Sequence, residues 1–228
     1  MVPGIYRLID GSLAQKLRFE TIANNLANIN TTGFKKDVIS FYQVLNMKNE
    51  STIYLAPGPK RHTGNELDVA LEGDGFFKIQ TEQGTRYTRD GSFALNADGQ
   101  LITRNGDIVL GQNGPIRVDR GHVSIEGNGV VKAGGMSVDR LAIINFRNPR
   151  LLIKEGSSCY RYSGEQADIF PAEQVAVQNG YLEGSNVNPT EEMIKMVESL
   201  RVFESAQKAV QCLDEITGKM VNDAALIQ

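Results

Sequence analysis

The hydrophobic and polar positions of this chain follow a helical period at its N-terminal end. Apolar residues recur there mostly at spacings of three and four, which places them on one face of a helix. They are Ile5, Leu8, Ile9, Leu13, Leu17, Phe19, Ile22, Leu26 and Ile29. The pattern predicts an amphipathic helix, and Gly33 is placed to end it as a left-handed C-terminal cap.

A second helix is predicted at the C-terminal end. Asn188 is suited to cap it, Pro189 fits the first helical position, and Glu191 follows in the first turn. The apolar residues beyond this start recur at a mean spacing of about 3.4, close to the heptad value of about 3.5. They are Met196, Leu200, Phe203, Ala206, Val210, Leu213, Ile216 and Met220. A stripe of this period needs another helix to cover it, so we predict that the N-terminal and C-terminal helices pair as a coiled coil.

The middle of the chain shows the signals of β-strands instead. Short runs rich in β-branched and aromatic residues recur between turn-forming dipeptides, and 18 of the 23 glycines lie between Gly64 and Gly184. The runs are 67–71, 75–80, 85–88, 100–103, 107–110, 123–125 and 141–146, and the dipeptides include Asp90-Gly91, Asp98-Gly99 and Asn105-Gly106. The predicted fold is therefore mainly β, with a central antiparallel all-β domain between N- and C-terminal helices.

These patterns divide the chain into four predicted segments. Residues 1–35 form the N-terminal helix, and residues 36–63 form an extended connector that contains Pro57-Gly58-Pro59. Residues 64–187 form the all-β domain, and residues 188–228 form the C-terminal coiled-coil helix. We assign assembly to the two helical segments, because each carries an apolar stripe that must be covered.

Composition and charge exclude several classes of function. The 24 Lys and Arg residues face 27 Asp and Glu residues, and the net charge of -3 gives no basic patch for nucleic acid. No apolar run reaches the roughly 18 residues that a membrane span requires. Arg7 and Asp10 interrupt the apolar stretch that a cleaved signal peptide would need. We therefore expect no nucleic-acid partner, no membrane insertion and no cleaved signal.

Residues with catalytic or metal-binding chemistry are few and scattered. His62 and His122 lie in the connector and at a strand edge, where the sequence offers neither of them a catalytic or metal-binding partnership. Cys159 and Cys212 are far apart and are interpreted as small packing residues, not as a disulfide. The sequence contains no zinc-protease, redox, nucleophile-elbow or phosphate-loop motif. We expect a protein without enzymatic activity, and without catalytic, cofactor-binding or metal-binding residues.

Three blocks of the sequence resemble the flagellar rod and hook protein family. The first reads NLANINTTGFK and covers residues 25–35. The second joins LDVALEGDGFF at 67–77 to RYTRDGSF at 86–93, and the third reads GYLEGSNVN at 180–188. The family-motif residues of the first and third blocks are Asn25, Leu26, Ala27, Asn28, Thr31, Gly33, Phe34, Ser185, Asn186 and Val187. The blocks occur in the family's order and span nearly the whole chain.

The resemblance implies a structural protein of the bacterial flagellum basal body. It implies a periplasmic rod protein that is exported through the flagellar type III apparatus without signal cleavage and has no enzymatic activity. Its implied partners are identical subunits, neighbouring rod proteins and the export apparatus. The chain is most similar to the proximal-rod member, in residues 182–187, in residues 201–204 and in its short connector. Residues 64–68 depart from the proline-containing sequence that we expect in the proximal-rod member before LDVA. This difference leaves a distal-rod or other axial subunit open.

We therefore interpret the chain as a rod subunit that polymerises through its terminal helices into a hollow drive shaft that transmits torque. The residues expected to carry assembly are Ile5, Leu8, Leu13, Ile22, Leu26, Met196, Leu200, Phe203, Val210 and Leu213. Two other classes stay open. One is a β-domain enzyme or carbohydrate-binding module whose helices only dimerise, and the other is a cap or scaffold that is discarded after assembly.

Overall fold

A computed structural model describes residues 3–39, 52–118, 121–156, 158–172 and 175–225 of the chain. The described part is mainly β, with antiparallel sheets and one long helix at each end, as the sequence predicts. Helix α1 spans Pro3–Ala27 and helix α2 spans Pro189–Ala225. The strands are β1 Asp37–Val38, β2 Thr52–Ile53, β3 Lys60–His62, β4 Val69–Glu72, β5 Phe76–Thr81, β6 Gly84–Thr88, β7 Phe93–Leu95, β8 Leu101–Thr103, β9 Ile108–Gly111, β10 Gly114–Pro115, β11 Val123–Ile125, β12 Val130–Ala133, β13 Met136–Arg140, β14 Ile143–Phe146, β15 Leu152–Lys154, β16 Cys159–Tyr162, β17 Ile169–Pro171, β18 Ala176–Asn179 and β19 Tyr181–Glu183.

The chain divides into two compact units. The helical unit contains Met1–Ala27, Asp37–Thr52 and Asn188–Gln228, and the β unit contains Asn28–Lys36 and Ile53–Val187. Strands β1, β2 and β3 lie within the segment that the sequence analysis assigns to a connector. The functional division into assembly helices, connector and β domain stays a prediction.

The β unit is built around one large antiparallel sheet. Its strands follow the order β15-β16-β6-β5-β9-β8-β7, with β10 added to β9, and with β14 paired to both β5 and β17. Three smaller sheets have the orders β11-β12-β13, β18-β4 and β19-β3. Gly99 and Gly106 have positive φ values of 73° and 91° at tight turns, as their dipeptides predict, whereas Gly91 does not have a positive φ. The local turn chemistry therefore fixes where several of these strands begin and end.

Two hydrophobic clusters fill the β unit. Consecutive residues of β5 belong to different clusters: Phe77 packs with Phe93 and Leu101, while Phe76 packs with Tyr160. Successive side chains of a strand point to opposite faces, so β5 has a buried cluster on each side of its sheet. Complete burial of such a side chain stabilises the fold by about 1.5–3 kcal/mol. The aromatic residues of this region are therefore core residues.

The helical unit contains α1 and α2 in contact with each other. Near the end of α1, Asn25 lies beside Glu192. Closer to the start of α1 and further along α2, Gln15 lies beside Ser199. The residue numbers fall along α1 as they rise along α2, so the two helices run antiparallel. No helix in the described residues combines the length and apolar content needed to cross a bilayer.

The ends of the helices agree with the sequence analysis at α2 and differ from it at α1. Asn188 Oδ1 accepts hydrogen bonds from the main-chain nitrogens of Thr190 at 3.1 Å and Glu191 at 3.3 Å, which confirms the predicted cap. Helix α1 ends at Ala27 and turns follow it, so the prediction that Gly33 caps this helix is wrong. Gly33 does have a left-handed conformation, with φ of 67°, but it serves a turn in the β unit.

Candidate functional site

The first motif block begins with an asparagine that organises the helical unit. The Asn25 side chain donates from Nδ2 to the carbonyl oxygen of Asp37 at 2.9 Å and accepts at Oδ1 from the Asp37 nitrogen at 2.9 Å. Its Nδ2 also lies 3.2 Å from Oε2 of Glu192 in the first turn of α2. Asn25 is buried, whereas Leu26 is half-buried and Ala27 is exposed. One amide therefore ties α1 to β1 and to the start of α2.

The rest of the first block lies in the β unit as a tight turn. Thr31 donates from its main-chain nitrogen to the Asn28 carbonyl and from Oγ1 to Asn28 Oδ1, both at 3.1 Å. Gly33 donates its N–H to the carbonyl oxygen of Glu183 at 2.8 Å. Phe34 is buried beneath the Lys154 ammonium, which lies 3.8 Å from the centre of the ring. The turn therefore holds the first block against β19.

The third block is joined to the first through Asn186. Its Oδ1 accepts from the main-chain nitrogen of Lys36 at 2.7 Å, and its Nδ2 donates to the carbonyl oxygens of Tyr54 and Ala56, both at 2.8 Å. Ser185 Oγ accepts from the Val187 nitrogen at 3.3 Å. Asn186 therefore connects three separate segments of the β unit through main-chain groups.

We name the contact between the first and third motif blocks the junction. A buried cluster of charges lies at its centre, and we name its members, Lys35, Glu183 and Arg89, the ion triad. Glu183 Oε1 lies 2.5 Å from Lys35 Nζ, and Glu183 Oε2 lies 3.4 Å from Arg89 Nη1. The exposed fractions of the three side chains are 1%, 1% and 4% for Lys35, Glu183 and Arg89. Charges removed from water to this extent require a partner, and Glu183 is the carboxylate that both cations contact.

Main-chain carbonyls and an amide complete the surroundings of the ion triad. Lys35 Nζ donates to the Ala56 carbonyl at 2.9 Å, and Arg89 Nη2 donates to the Gly73 carbonyl at 2.9 Å. Glu183 Oε1 also accepts from the Gly58 nitrogen at 2.9 Å. These bonds bring the segments around residues 56–58 and 73 to the same point as the three side chains.

Burial and the neighbouring charges act in opposite directions on the triad cations. Burial lowers the pKa of Lys35, and the attraction of Glu183 opposes that shift without cancelling it. Burial likewise lowers the pKa of Arg89, against the opposing charges of Glu183 and Asp74. The charged form of each cation is therefore less favourable here than in water, and its stability depends on Glu183.

The ion triad is not predictable from local sequence patterns. All three residues lie inside motif blocks, but nothing in the sequence indicates that they meet. Lys35 and Glu183 are 148 positions apart, and Arg89 and Glu183 are 94 positions apart. Lys35 and Glu183 are the sole charged residues of the first and third blocks, a signal that could have suggested this pair, whereas the second block contains six charged residues and does not single out Arg89.

The predicted assembly residues occupy several environments in the helical unit. Ile22 is buried, while Leu26, Met196, Phe203 and Val210 are half-buried. Leu13 and Leu200 are each 42% exposed. Ile5 and Leu8 in α1, and Leu213 in α2, have side chains that lie outside the described residues. These positions therefore do not form one uniform stripe.

A groove between α1 and α2 brings part of this set together. It has a volume of about 560 Å³, and Leu13 from α1 and Phe203, Ala206 and Val210 from α2 contribute to its lining. Leu13 thus faces the same space as three of the predicted stripe residues of α2. The groove supports the pairing of these residues more directly than their individual exposures do.

A second apolar surface on α2 is exposed. Met193, Ile194, Val197 and Leu200 are between 42% and 58% exposed, and we name them the outer face of α2. Spacings of three, four and seven residues place Met193, Val197 and Leu200 on one side of the helix. Next to Leu200, the buried position is taken by Ser199, whose Oγ lies 3.3 Å from Gln15 Oε1. The apolar pattern of the sequence did not predict this buried position, because a polar residue occupies it.

The two cysteines differ in their expected reactivity. Burial, with the nearby Asp107 carboxylate, raises the pKa of Cys159 to about 11, while Cys212 is exposed. Since the thiolate is the reactive form, only about one Cys159 in a thousand is reactive at pH 8.

We expect iodoacetamide to alkylate Cys212 first, with the Cys159 rate rising about tenfold per pH unit up to its pKa. Peptide mass spectrometry of the native protein measures both rates. Equal rates at pH 8 would contradict the expectation, and a sample unfolded in urea supplies the control.

Models of known protein families match three parts of this chain. Residues 8–35 match the model described as "Flagella basal body rod protein". Residues 70–133 match "Flagellar hook protein FlgE/F/G D1 domain", and residues 178–223 match "Flagellar basal body rod FlgEFG protein C-terminal". Each matched part supplies one member of the ion triad.

Relatives of the chain match it over nearly its whole length. The flagellar basal-body rod protein FlgG of Bacillus subtilis is 33% identical, over 97% of this chain and 99% of the relative. The rod protein FlgF of Caulobacter vibrioides is 31% identical, over 95% of this chain and 96% of the relative. FlgG of Borreliella burgdorferi is 32% identical, over 96% and 97% respectively. The order of the matched parts and the extent of this similarity show that the chain belongs to the family of flagellar basal-body rod proteins.

Proposed function

We propose that this chain polymerises through its terminal helices to build the hollow rod that transmits torque in the flagellum. As a member of its family, the protein is a structural subunit of the flagellar basal-body rod. Its partners in this role are identical subunits and neighbouring rod proteins. Each subunit contacts its neighbour through two different surface patches. Such heterologous contacts generate a helical filament when they do not close into a ring.

The outer face of α2 is the observation that carries this proposal. Met193, Ile194, Val197 and Leu200 present a continuous apolar strip on a helix whose other side contacts α1. These side chains are already about half covered, so covering the rest of each would contribute about half of the roughly 1.5–3 kcal/mol of complete burial, before the cost of association. A helix of a neighbouring subunit is the partner of matching shape, because apolar strips at helical spacing pack against one another.

The contact between α1 and α2 supports the proposed coiled coil within one subunit. Buried and half-buried positions of α2 include Glu192, Met196, Ser199, Phe203 and Val210. Their spacings alternate between four and three except for the last step, and Ala206 divides that step into three and four. This alternation is the heptad pattern of a coiled-coil seam. We propose that the seam fixes the pair of helices and that the outer face of α2 remains for assembly.

The position in the rod belongs to the same proposal. We assign the chain to the proximal rod in the periplasm. The similarity in residues 182–187 and 201–204 and the short connector support that assignment, while relatives named FlgG and FlgF match at similar identity. We further propose export through the flagellar type III apparatus without signal cleavage, and a role without catalysis, nucleic acid or membrane insertion.

A pair of valines on α2 provides a matched test of assembly. Val197 and Val202 are both 49% exposed, but only Val197 lies on the outer face. Five residues turn an α-helix by about 140°, so the two valines point in different directions. We expect Val197→Asp to reduce incorporation into basal bodies by about a hundredfold or more, because a carboxylate would be buried without a partner. Val202→Asp should leave incorporation nearly unchanged.

Complementation of a strain that lacks this subunit provides the measurement. Motility and immunoblots of purified basal bodies report incorporation, and circular dichroism of each purified variant checks folding. If Val197→Asp assembles as well as Val202→Asp does, the outer face has no role in assembly. Equal failure of two folded variants would also contradict a role for this particular face.

A further inference from the structure

The β unit contains four Asn-Gly dipeptides, which begin at residues 105, 113, 128 and 179. An asparagine before glycine is prone to form a cyclic imide, because glycine has no side chain to obstruct the attack of its main-chain nitrogen on the asparagine amide. The following residue is the same in all four dipeptides, so their intrinsic reactivities are similar. Differences in the folded protein therefore arise from what holds each asparagine side chain.

Two of the four asparagines are held by specific partners of their Nδ2 groups. Asn179 Nδ2 donates to the carbonyl oxygen of Ile125 at 2.6 Å and to that of Glu66 at 3.0 Å. Asn113 Nδ2 donates to Asp139 Oδ1 at 2.9 Å. Each side chain must break these bonds before its carbonyl carbon can reach the next nitrogen. The Asp139 carboxylate also disfavours the negative charge that develops on the attacking nitrogen.

The other two asparagines differ from each other in how their side chains are held. Asn128 Oδ1 accepts a hydrogen bond from the Val130 nitrogen at 2.9 Å, which fixes the amide within its turn. Asn105 is exposed at the tip of the β8–β9 hairpin, and its side-chain amide has no hydrogen-bond partner among the residues that the structure describes. Asn105 is therefore the one member of the set whose side chain is free to rotate.

The turn around Asn105 leaves space for the reaction. Gly106 has φ of 91°, and no heavy atom lies within 4 Å of the position that a Cβ would take there. The Gly106 N–H donates to the Thr103 carbonyl oxygen at 3.0 Å. This bond of the Gly106 nitrogen lies at an exposed hairpin tip, where local opening costs little free energy.

We propose that Asn105 is a site of spontaneous deamidation in the folded protein and that it reacts before the other three asparagines. The Gly106 nitrogen attacks Cγ of Asn105 and loses its proton to solvent base, while the bond from Cγ to Nδ2 breaks and Nδ2 takes a proton from solvent and leaves as ammonia. Water then opens the cyclic imide at either carbonyl, which gives aspartate or isoaspartate. The net reaction consumes one water and releases one ammonia, so it needs no oxidant or enzyme.

The product changes the surface around the hairpin. Asn105 and Asp107 line a cavity of about 620 Å³ together with Arg86, Glu82 and Glu155. Deamidation adds a carboxylate to this surface, whose lining already includes three carboxylates and Arg86. Isoaspartate also lengthens the main chain within the turn, which disturbs the hydrogen bonds that Thr103 makes to it. The modification therefore alters both charge and turn geometry on the β unit, independently of the helical assembly surface.

Peptide mass spectrometry of the purified native protein, incubated at mildly alkaline pH, tests this proposal. The peptide that contains Asn105 should convert to the acid at least about tenfold faster than the peptide that contains Asn179. In urea, the four dipeptides should react at similar rates. Reaction of Asn105 no faster than that of Asn179 in the native protein would overturn the proposal. A preference that persisted unchanged in urea would also overturn it, because its cause would not be the fold.

Release of one anchored asparagine provides a second test. Asp139→Ala removes the partner of Asn113 Nδ2. We expect the variant to deamidate severalfold faster at Asn113, with the rate at Asn105 unchanged. An unchanged rate at Asn113 in the folded variant would show that side-chain anchoring does not set the order. Asn105→Gln serves as the control, and it should abolish the fast conversion without affecting the other three positions.

Discussion

Replacement of Glu183 by glutamine should lower the free energy of unfolding by about 3–5 kcal/mol, the cost of breaking a buried ion pair by removing one partner. Glutamine keeps the size of the side chain and can still accept a hydrogen bond from the Gly58 nitrogen. It leaves Lys35 and Arg89 as two cations without their shared carboxylate, in a site where the wild-type triad side chains are at most 4% exposed. Urea unfolding of the purified full chain, followed by circular dichroism, measures the loss.

The deficit of Glu183→Gln should also depend on pH in a defined direction. Burial lowers the pKa of Lys35 below 10.5, and the attraction of Glu183 is the main influence that opposes this shift. Without Glu183 the folded-state pKa falls further, while the unfolded-state value stays near 10.5. Between the two values the unfolded state binds more protons, so stability rises with pH. The variant should therefore recover part of its lost stability as the pH approaches 10.5.

A glutamate on the surface of the same unit supplies the control. Glu72 is 60% exposed and lies 3.6 Å from Lys60. We expect Glu72→Gln to change the free energy of unfolding by no more than about 0.5 kcal/mol, because exposed ion pairs contribute little. If Glu183→Gln destabilises the protein no more than Glu72→Gln does, the ion triad does not hold the junction together.

Local sequence signals predicted much of the fold. The strand runs correspond to β4, β5, β6, β8, β9, β11 and β14 within about two residues at each end. Asn188 caps α2 as predicted because a cap depends only on residues within one turn. Turn glycines and caps are predictable for the same reason: the groups that determine them are neighbours in the sequence.

The choice of the buried face of α2 could not be read from the sequence. The apolar residues of α2 occupy two sides of the helix, so a mean spacing near the heptad value fits more than one stripe. The prediction included Leu200, whereas the buried residue at that level is Ser199. The choice depends on α1, which presents Gln15 to Ser199. A hydrophobic pattern alone cannot include a seam position whose partner is polar.

The junction was the least predictable part of the candidate site. Its blocks were recognised by resemblance, but the roles of their residues depend on approaches between distant segments. The two approaches that define it are those of Lys35 and Arg89 to Glu183. Asn186 likewise acts on the main chain of residues 36, 54 and 56, and no local spacing indicates these partners. Only the three-dimensional fold specifies this set of contacts.

Replacement of Gly33 by alanine should destabilise the β unit by more than about 4 kcal/mol. Single mutations reach such a loss only when they disrupt the local structure severely. The φ of 67° at Gly33 costs an alanine about 1–2 kcal/mol. In addition, the new Cβ would lie 2.6 Å from the carbonyl carbon of Arg89 and closer still to the nitrogen of Asp90. Both atoms belong to the main chain, so no side-chain rotation can relieve the clash. Urea unfolding and the yield of soluble protein measure the effect.

Gly106→Ala separates the two causes of the destabilisation expected for Gly33→Ala, which are the left-handed φ and the clash of the new Cβ. Its φ of 91° is also left-handed, but the space around its missing Cβ contains no heavy atom within 4 Å. Gly106→Ala should therefore cost only the conformational term of about 1–2 kcal/mol. The difference between the two variants reports the close approach of the first motif block to Arg89 and Asp90. Equal losses for Gly33→Ala and Gly106→Ala would mean that this approach relaxes freely, and the junction would then not be held rigidly at Gly33.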